Sequence, residues 1–122
     1  MSERLSLLQI VLLVMYALAM ACGQVLFKLA ALRGAATGGV GERLLAMAQN
    51  GYFAAALALY AGLTLLWVWI LSFTPLSRAY VFVALAFAVT PLAGGVVFGE
   101  PIGLRLLVGV AFIAVGLVFV AG

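Results

Sequence analysis

The first charged residue after Arg4 is Lys28, and the run from Leu5 to Phe27 between them is largely apolar. About 20 apolar residues in an α-helix are long enough to cross the hydrocarbon core of a bilayer. A small soluble fold would have to bury every side of so long a helix, which leaves no polar face for water. The run therefore predicts a first helix that spans a membrane.

The composition of the whole chain leads to the same conclusion. Of the 122 residues, 69% are hydrophobic and 7% are charged, and the mean hydropathy is +1.39. An ordinary globular domain carries about 25% charged residues. The sequence therefore predicts an integral membrane protein. The net charge of +3 comes from six basic and three acidic residues spread between apolar runs, so no nucleic-acid partner is expected.

The residue inventory also limits the chemistry. Histidine is absent and Cys22 is the single cysteine. The commonest general base and the usual Cys/His metal ligands are therefore missing. We expect no enzymatic activity, no catalytic residue, no metal site and no cofactor. We also expect the first helix to be retained, because its apolar run is longer than that of a cleavable signal peptide.

Charges and turn residues divide the sequence into four spans. The predicted architecture is an all-α membrane protein, a small bundle in a single domain over residues 1–122. The predicted helices cover about 5–31, 51–73, 76–98 and 101–121. A short interfacial helix is expected over 42–49. Four helices enclose little interior, so a dimer is expected, either of two copies or with a sister subunit.

Several residues predict where the spans begin and bend. Asn50 is a predicted N-cap, and Pro75 and Pro101 suit the first positions of the third and fourth spans. Pro91 removes a backbone hydrogen bond inside the third span and predicts a kink. The carboxylate of Glu100 precedes the fourth span, where we expect it to stabilise the positive helix end.

Gln24 and Lys28 introduce polarity near the end of the first span. They are four residues apart and so share one face of a helix. Lys28 is either an anchor whose stem reaches the membrane interface or a cation in a polar cavity that binds an anionic or carbonyl-bearing substrate. The amide of Gln24 lies about one turn deeper and requires a hydrogen-bonding partner. No carboxylate follows Glu3 in this span, so its polar end is expected to be positively charged.

Arg78, Tyr80 and Glu100 complete the candidate substrate-binding residues. Arg78 is either an interface anchor or a phosphate ligand, and in the second case Tyr80 supplies a further donor on the cavity wall. Glu100 lies at a helix boundary, which favours an electrostatic structural role over proton transport. An exchanger of protons for cations requires a carboxylate within the membrane, and Glu100 is the one available.

Two glycines in the fourth span suggest a dimerisation surface. Gly109 and Gly116 are seven residues apart and lie on one stripe of a helix. Small residues allow another helix to approach closely. The neighbouring helix belongs either to a partner subunit or to the same chain.

These motifs, in their order and spacing, resemble the drug/metabolite transporter superfamily in its small four-helix, EamA-like form. The likeness extends over nearly the whole chain. It is carried by Gly23-Gln24 with Lys28 and Ala30, Thr74-Pro75-Leu76-Ser77-Arg78-Ala79-Tyr80, Phe98-Gly99-Glu100-Pro101-Ile102, and the Gly109/Gly116 pair.

Two branches of the superfamily are similar to the chain. Small multidrug resistance proteins have its size and layout and pair through the fourth helix, but they depend on a glutamate in the first helix. This chain has Gln24 and Lys28 there. The closer resemblance is to subunits of the aminoarabinose-phosphoundecaprenol flippase, which carry Gly-Gln with a nearby lysine.

This resemblance implies a function in the bacterial inner membrane. A flippase of this kind moves a polyprenyl-phosphate-linked sugar from the cytoplasmic to the periplasmic leaflet, and Lys28 and Arg78 become candidate partners of the lipid phosphate. Two alternatives remain open. One is a proton-coupled exporter of small cations such as polyamines. The other is an assembly subunit that stabilises a partner without transporting.

Overall fold

The computed structural model describes residues 5–33 and 38–121. Every regular element in these ranges is an α-helix, which confirms the predicted fold class. The helices are α1 (Leu7–Arg33), α2 (Val40–Ala48), α3 (Gly51–Leu71), α4 (Leu76–Val81), α5 (Val83–Phe98) and α6 (Leu104–Ala121).

Within the described residues, four helical segments are long and apolar enough to cross a membrane. They are α1 with 27 residues, α3 with 21, the combined α4 and α5 with 23, and α6 with 18. At about 1.5 Å per residue, even the shortest of these is close to the thickness of the hydrocarbon core.

The third span is interrupted at Phe82 and not at its proline. Phe82 donates its N–H to the carbonyl of Ala79 and accepts the N–H of Leu85, and both bonds span three residues. Such bonds tighten the helix locally and separate α4 from α5. Pro91 lies inside α5, which continues through it to Phe98.

The start of the last span differs from the prediction. Gly99 has a φ of +67°, a left-handed conformation that ends α5. The chain then continues outside any helix until α6 begins at Leu104. Pro101 is therefore not a first helical residue, and the range predicted from residue 101 begins too early.

The first helix is central in the bundle. It packs against α3 on one side and α5 on the other, and α6 packs against α5 and α4. At its start, Ser6 and Gln9 form a capping box: the N–H of Gln9 donates to Ser6 Oγ, and the N–H of Ser6 donates to Gln9 Oε1. Gln9 Nε2 also donates to the carbonyl of Phe73 and the hydroxyl of Thr74.

The two ends of the bundle are packed differently. At the end that holds the start of α1 and the end of α6, large side chains close the core. Its cluster is Leu5, Leu13, Ile70, Ala79, Phe82 and Leu117. At the opposite end the buried residues are small: Ala21, Gly23, Ala30, Ala56 and Gly94. Small side chains leave space between the helices, so this end is open.

Asn50 joins two spans at the open end. Its Oδ1 accepts the N–H groups of Tyr52 and Phe53, as predicted for an N-cap of α3. Its Nδ2 donates to the carbonyl of Ala30 at the end of α1, at 2.9 Å. One amide side chain therefore satisfies groups at the ends of both helices.

Candidate functional site

A groove runs between α1 and α5 in the open half of the bundle. It consists of adjoining cavities of about 240 and 210 Å³ that share Gln24 and Thr90 on their walls. The remaining lining residues are Met20, Val25, Lys28, Ala86, Phe87, Pro91, Gly94, Phe98 and Glu100. Three of the predicted site residues, Gln24, Lys28 and Glu100, therefore come together here.

Gln24 finds its hydrogen-bonding partner on α3. Its Nε2 donates to the Tyr60 hydroxyl at 2.7 Å, and that hydroxyl donates to the carbonyl of Met20 at 2.9 Å. Gly23 lies beneath the Tyr60 ring, and a Cβ at this position would collide with the ring. The Gly-Gln motif thus allows close packing between α1 and α3 and holds the amide at the wall of the groove.

Tyr60 and Thr90 belong to this region but were not among the predicted site residues. A phenol in the middle of an apolar span requires a hydrogen-bonding partner when it is buried. That requirement was a signal for Tyr60, but its partner lies 36 positions away in the sequence. Thr90 precedes Pro91, and its place on the groove follows from the packing of α5 against α1.

Lys28 forms an ion pair with Glu100. The Nζ of Lys28 lies 3.5 Å from Oε2 of Glu100, and both side chains are about half-exposed, at 46% and 47%. The separation is longer than the roughly 2.7–2.9 Å of a strong charge-assisted hydrogen bond. The pair is therefore loose and accessible from the groove.

The position of Glu100 corrects two expectations. The carboxylate does not lie at the start of α6, which begins four residues later; it folds back over Gly94 of α5 and faces Lys28. The polar end of the first span is therefore not simply positive. It carries a cation and an anion side by side.

Arg78 lies at the other end of the bundle. Its Nη1 donates to the carbonyl of Val120 at 2.9 Å, close to the end of α6. A cation at this position stabilises the negative end of a helix. Since Lys28 pairs with the loop that precedes α6, the two cations are separated by the length of that helix, about 27 Å for 18 residues. They do not converge on one phosphate in this conformation.

Tyr80 is also outside the groove. Its side chain is exposed, and its ring meets the edge of Trp67 with centroids 6.3 Å apart. Trp67 stacks in turn on Tyr16 at 4.9 Å. Tyr80 therefore extends an aromatic row on the closed half of the bundle.

The predicted dimerisation glycines face open space within the chain. A Cβ added at Gly109 or Gly116 would meet no atom within 4 Å in the described ranges. Leu117 is the one buried residue of α6 among the described residues. Packing inside this chain therefore does not account for the two glycines.

A larger cavity, of about 690 Å³, lies where the end of α1 meets α2 and the start of α3. The cation on its wall, Arg33, lies over the ring of Tyr52 at 5.2 Å from the centroid. This cation–π contact partly stabilises the guanidinium. The larger cavity is also lined by the amides of Gln49 and Asn50. We regard the α1–α5 groove as the candidate site because a cation and an anion face each other there.

Four apolar spans with a polar groove between the first and the third define a small multi-pass membrane protein. No family model matches the chain, and no solved structure matches it. The chain is 39% identical over 72 residues to a protein of Enterobacter sp. (strain 638), named as a probable 4-amino-4-deoxy-L-arabinose-phosphoundecaprenol flippase subunit ArnE. The match covers 59% of this chain and 67% of that relative. The chain belongs to the family of these flippase subunits.

This relationship confirms the resemblance inferred from the motifs of the sequence. It also confirms the predicted localisation, a multi-pass protein of the bacterial inner membrane, together with the four spans of the structure.

Proposed function

We propose that this chain is a subunit of a flippase that moves a polyprenyl-phosphate-linked sugar, such as aminoarabinose-phosphoundecaprenol, between the leaflets of the membrane. The observation that carries the proposal is the groove between α1 and α5. It offers an ammonium and an amide within a membrane span, in a chain whose relative is named for this lipid.

Lys28 supplies the charge that the lipid phosphate needs. A phosphate taken from water into the membrane without a partner is strongly unfavourable. The Lys28 ammonium is half-exposed and offers up to three donors to the phosphate. Gln24 and Thr90, farther along the groove, offer hydrogen bonds to sugar hydroxyls. The prenyl chain stays in the lipid, and movement of the headgroup forms and breaks no covalent bond.

Passage to the other leaflet requires the closed half of the bundle to open. Leu13, Ile70 and Phe82 form part of the packed cluster there. Phe82 also marks the interruption between α4 and α5, and Pro91 removes a backbone hydrogen bond farther along the same span. These two weak points let the third span bend while α1 stays in place, which is alternating access by movement of one segment.

We further propose that α6 joins this chain to a second copy or to a sister subunit. The relative is named as a subunit, and the open glycine stripe of α6 suits the close approach of another helix.

A leaflet-exposure assay tests the proposed function. The chain is reconstituted alone, and with its sister subunit, in vesicles of phosphatidylcholine and phosphatidylglycerol that carry aminoarabinose-phosphoundecaprenol. A membrane-impermeant amine reagent then reports how fast the sugar reaches the outer leaflet. We expect Lys28→Ala to slow transport about tenfold or more, since a hydrogen bond to a charged group contributes about 1.5–3 kcal/mol.

Arg105→Ala is the matched control. Arg105 is an exposed cation near the start of α6, at the same end of the bundle as Lys28, and it does not line the groove. It should transport at the normal rate. Undiminished transport by well-expressed Lys28→Ala would remove Lys28 from the mechanism. If neither reconstitution transports the lipid while the chain stabilises its sister, the chain is an assembly subunit.

A second candidate function is proton-coupled export of small cations. The observation that favours it is the carboxylate of Glu100 on the groove wall, which could hold either a proton or a cation. The neighbouring Lys28 ammonium opposes cation binding. Cation uptake by vesicles that depends on a proton gradient and is lost in Glu100→Gln would establish this function in place of the first.

A further inference from the structure

The loop between α5 and α6 holds Glu100 in a defined position. Gly99, in its left-handed conformation, donates its N–H to the carbonyl of Gly95. Glu100 donates its own N–H to the carbonyl of Gly94 at 3.4 Å. The backbone of Glu100 is therefore fixed against the end of α5, and its side chain starts from a rigid base.

Gly94 makes room for the carboxylate. A Cβ at Gly94 would overlap Oε1 of Glu100, so the carboxylate can lie over α5 because residue 94 has no side chain. Ile102 lies over the adjacent Gly95 in the same way. The glycine pair thus lets the whole loop fold back on the helix and directs Glu100 toward Lys28.

The acidic residues of the chain are few. Of the three, Glu3 lies outside the described residues, and Glu42 is exposed on α2. Within residues 5–33 and 38–121, Glu100 is the carboxylate on the wall of the α1–α5 groove. Among the described residues, a role that needs a negative charge in this groove therefore falls to Glu100.

The ion pair is suited to exchange its partners. Its separation of 3.5 Å and its half-exposed side chains make it weaker than a buried, bidentate pair. A ligand that carries both an anion and a cation can replace both ends at once. The phosphate would take Glu100's place beside Lys28, and the ligand's ammonium would take the place of Lys28 beside Glu100.

We propose that Lys28 and Glu100 form a two-point receptor for a zwitterionic lipid headgroup, in which Lys28 binds a phosphate and Glu100 binds a primary ammonium. The inference rests on the proposed function, and it adds that the chain recognises the amine of its substrate as well as the phosphate. Two lipids share this chemistry, an amino-sugar phosphoprenol and phosphatidylethanolamine.

Lipid binding to the purified full chain, measured by native mass spectrometry from detergent micelles, tests this receptor. The probes are aminoarabinose-phosphoundecaprenol, its N-acetylated derivative, phosphatidylethanolamine and N-acetyl-phosphatidylethanolamine. We expect the wild type to bind at least one amine about tenfold or more tightly than its acetylated form, because acetylation removes the charge that pairs with Glu100.

The variants separate the two charges. Glu100→Gln should bind the amine and its acetylated form equally. The acetylated form should bind at least as tightly as to the wild type, because Lys28 loses its competing carboxylate, and this retained binding shows that the variant is folded. Gly94→Ala should behave in the same way, because it displaces the carboxylate and keeps its charge. Lys28→Ala should weaken binding of the acetylated form most, because Lys28 is its one charged partner in the proposed receptor. Glu42→Gln is the matched control and should keep the wild-type discrimination.

The outcomes distinguish this inference from the proposed function. If the wild type binds the amino-sugar lipid but binds both amines no more tightly than their acetylated forms, the receptor is disproved and the proposed function stands. The same holds if Glu100→Gln keeps the discrimination. If only phosphatidylethanolamine is discriminated and neither sugar lipid binds, the receptor stands and the proposed substrate is wrong. If no lipid binds, the receptor is disproved, and the transport assay with the sister subunit decides the proposed function separately.

Discussion

At the scale of single residues, Tyr60 connects the first two spans. Its hydroxyl accepts from Gln24 and donates to the carbonyl of Met20, and its ring stacks on Phe27 with centroids 5.2 Å apart. The same ring fills the space above Gly23. The position of the Gln24 amide on the groove wall therefore depends on a residue of another helix.

Replacing Tyr60 with phenylalanine tests this dependence. The substitution keeps the ring above Gly23 and removes both hydrogen bonds of the hydroxyl. We expect a loss of about 1 kcal/mol in the free energy of unfolding, since a hydrogen bond between membrane helices contributes about 0.6 kcal/mol on average. Thermal unfolding in mild detergent measures the loss.

Tyr80→Phe serves as the control. It removes the same phenol hydroxyl from the same protein, but from an exposed side chain. It should unfold at the wild-type temperature. An equal decrease in both variants would show that the loss reflects any missing phenol and not the link to Gln24.

The residues of the site were only partly predictable. The pattern at Gln24 and Lys28 predicts a polar helix face because residues four apart are neighbours on a helix. Their partners, Tyr60 and Glu100, lie 36 and 72 positions away in the sequence. Contacts over such distances depend on how the spans pack, and local periodicity does not encode that. For Arg78, the charge suggested a role as a phosphate ligand. In the structure, its guanidinium donates a hydrogen bond to the carbonyl of Val120 near the end of α6.

At the scale of elements, Asn50 is the residue that fixes two helix ends. It caps α3 and donates to the last turn of α1. Asn50→Ala should lower the free energy of unfolding by about 1–2 kcal/mol, the sum of a lost cap and a lost hydrogen bond. Asn50→Asp should lose less, because it keeps the cap and removes only the donor to Ala30. Denaturant titration in detergent, followed by circular dichroism, measures both values.

Gln49→Ala is the control for this series. Gln49 is the exposed neighbour of Asn50, and the substitution should leave the unfolding midpoint unchanged. If Asn50→Asp loses as much as Asn50→Ala, the bond to Ala30 and not the cap carries the effect.

Helix boundaries were predictable where a local signal sets them, and not elsewhere. Asn50 follows from side-chain capping. The predicted start of the third span at residue 76 agrees with α4, but Pro75 is the N-cap residue before the helix and not, as predicted, its first helical residue. The Pro101 signal failed because the loop before α6 folds back onto α5, with Ile102 over Gly95. This contact is tertiary, and it delays the start of α6 to Leu104. The interruption at Phe82 was also not predictable, because no proline or glycine lies next to it in the sequence.

At the scale of the whole molecule, α6 contributes less buried surface than the other spans. We expect Gly109→Leu and Gly116→Leu to weaken dimerisation in lipid about tenfold or more, or about 1.4 kcal/mol, because the added side chains prevent close helix contact. Single-molecule photobleaching over a range of protein-to-lipid ratios measures the dimer fraction.

Ala111→Leu is the matched control. Ala111 is exposed on α6, and two residues from Gly109 it lies about 200° around the helix. A similar increase in size there should leave the dimer fraction unchanged. A wild-type chain that stays monomeric at every ratio would contradict self-association, and the same measurement with the sister subunit would then test the mixed dimer.

The side-chain hydrogen bonds that link α1 to α3 and the turn after it have a consequence for the biosynthesis of the protein. The side chains that link these spans, Gln9, Gln24, Asn50 and Tyr60, and the groups they bond all lie within the first 74 residues. Synthesis proceeds from the N-terminus, so the ribosome has delivered both halves of this hairpin before α5 and α6 exist. Membrane insertion of α1 and α3 can therefore be completed early. The groove forms only later, when α5 packs against the α1 helix that is already in place.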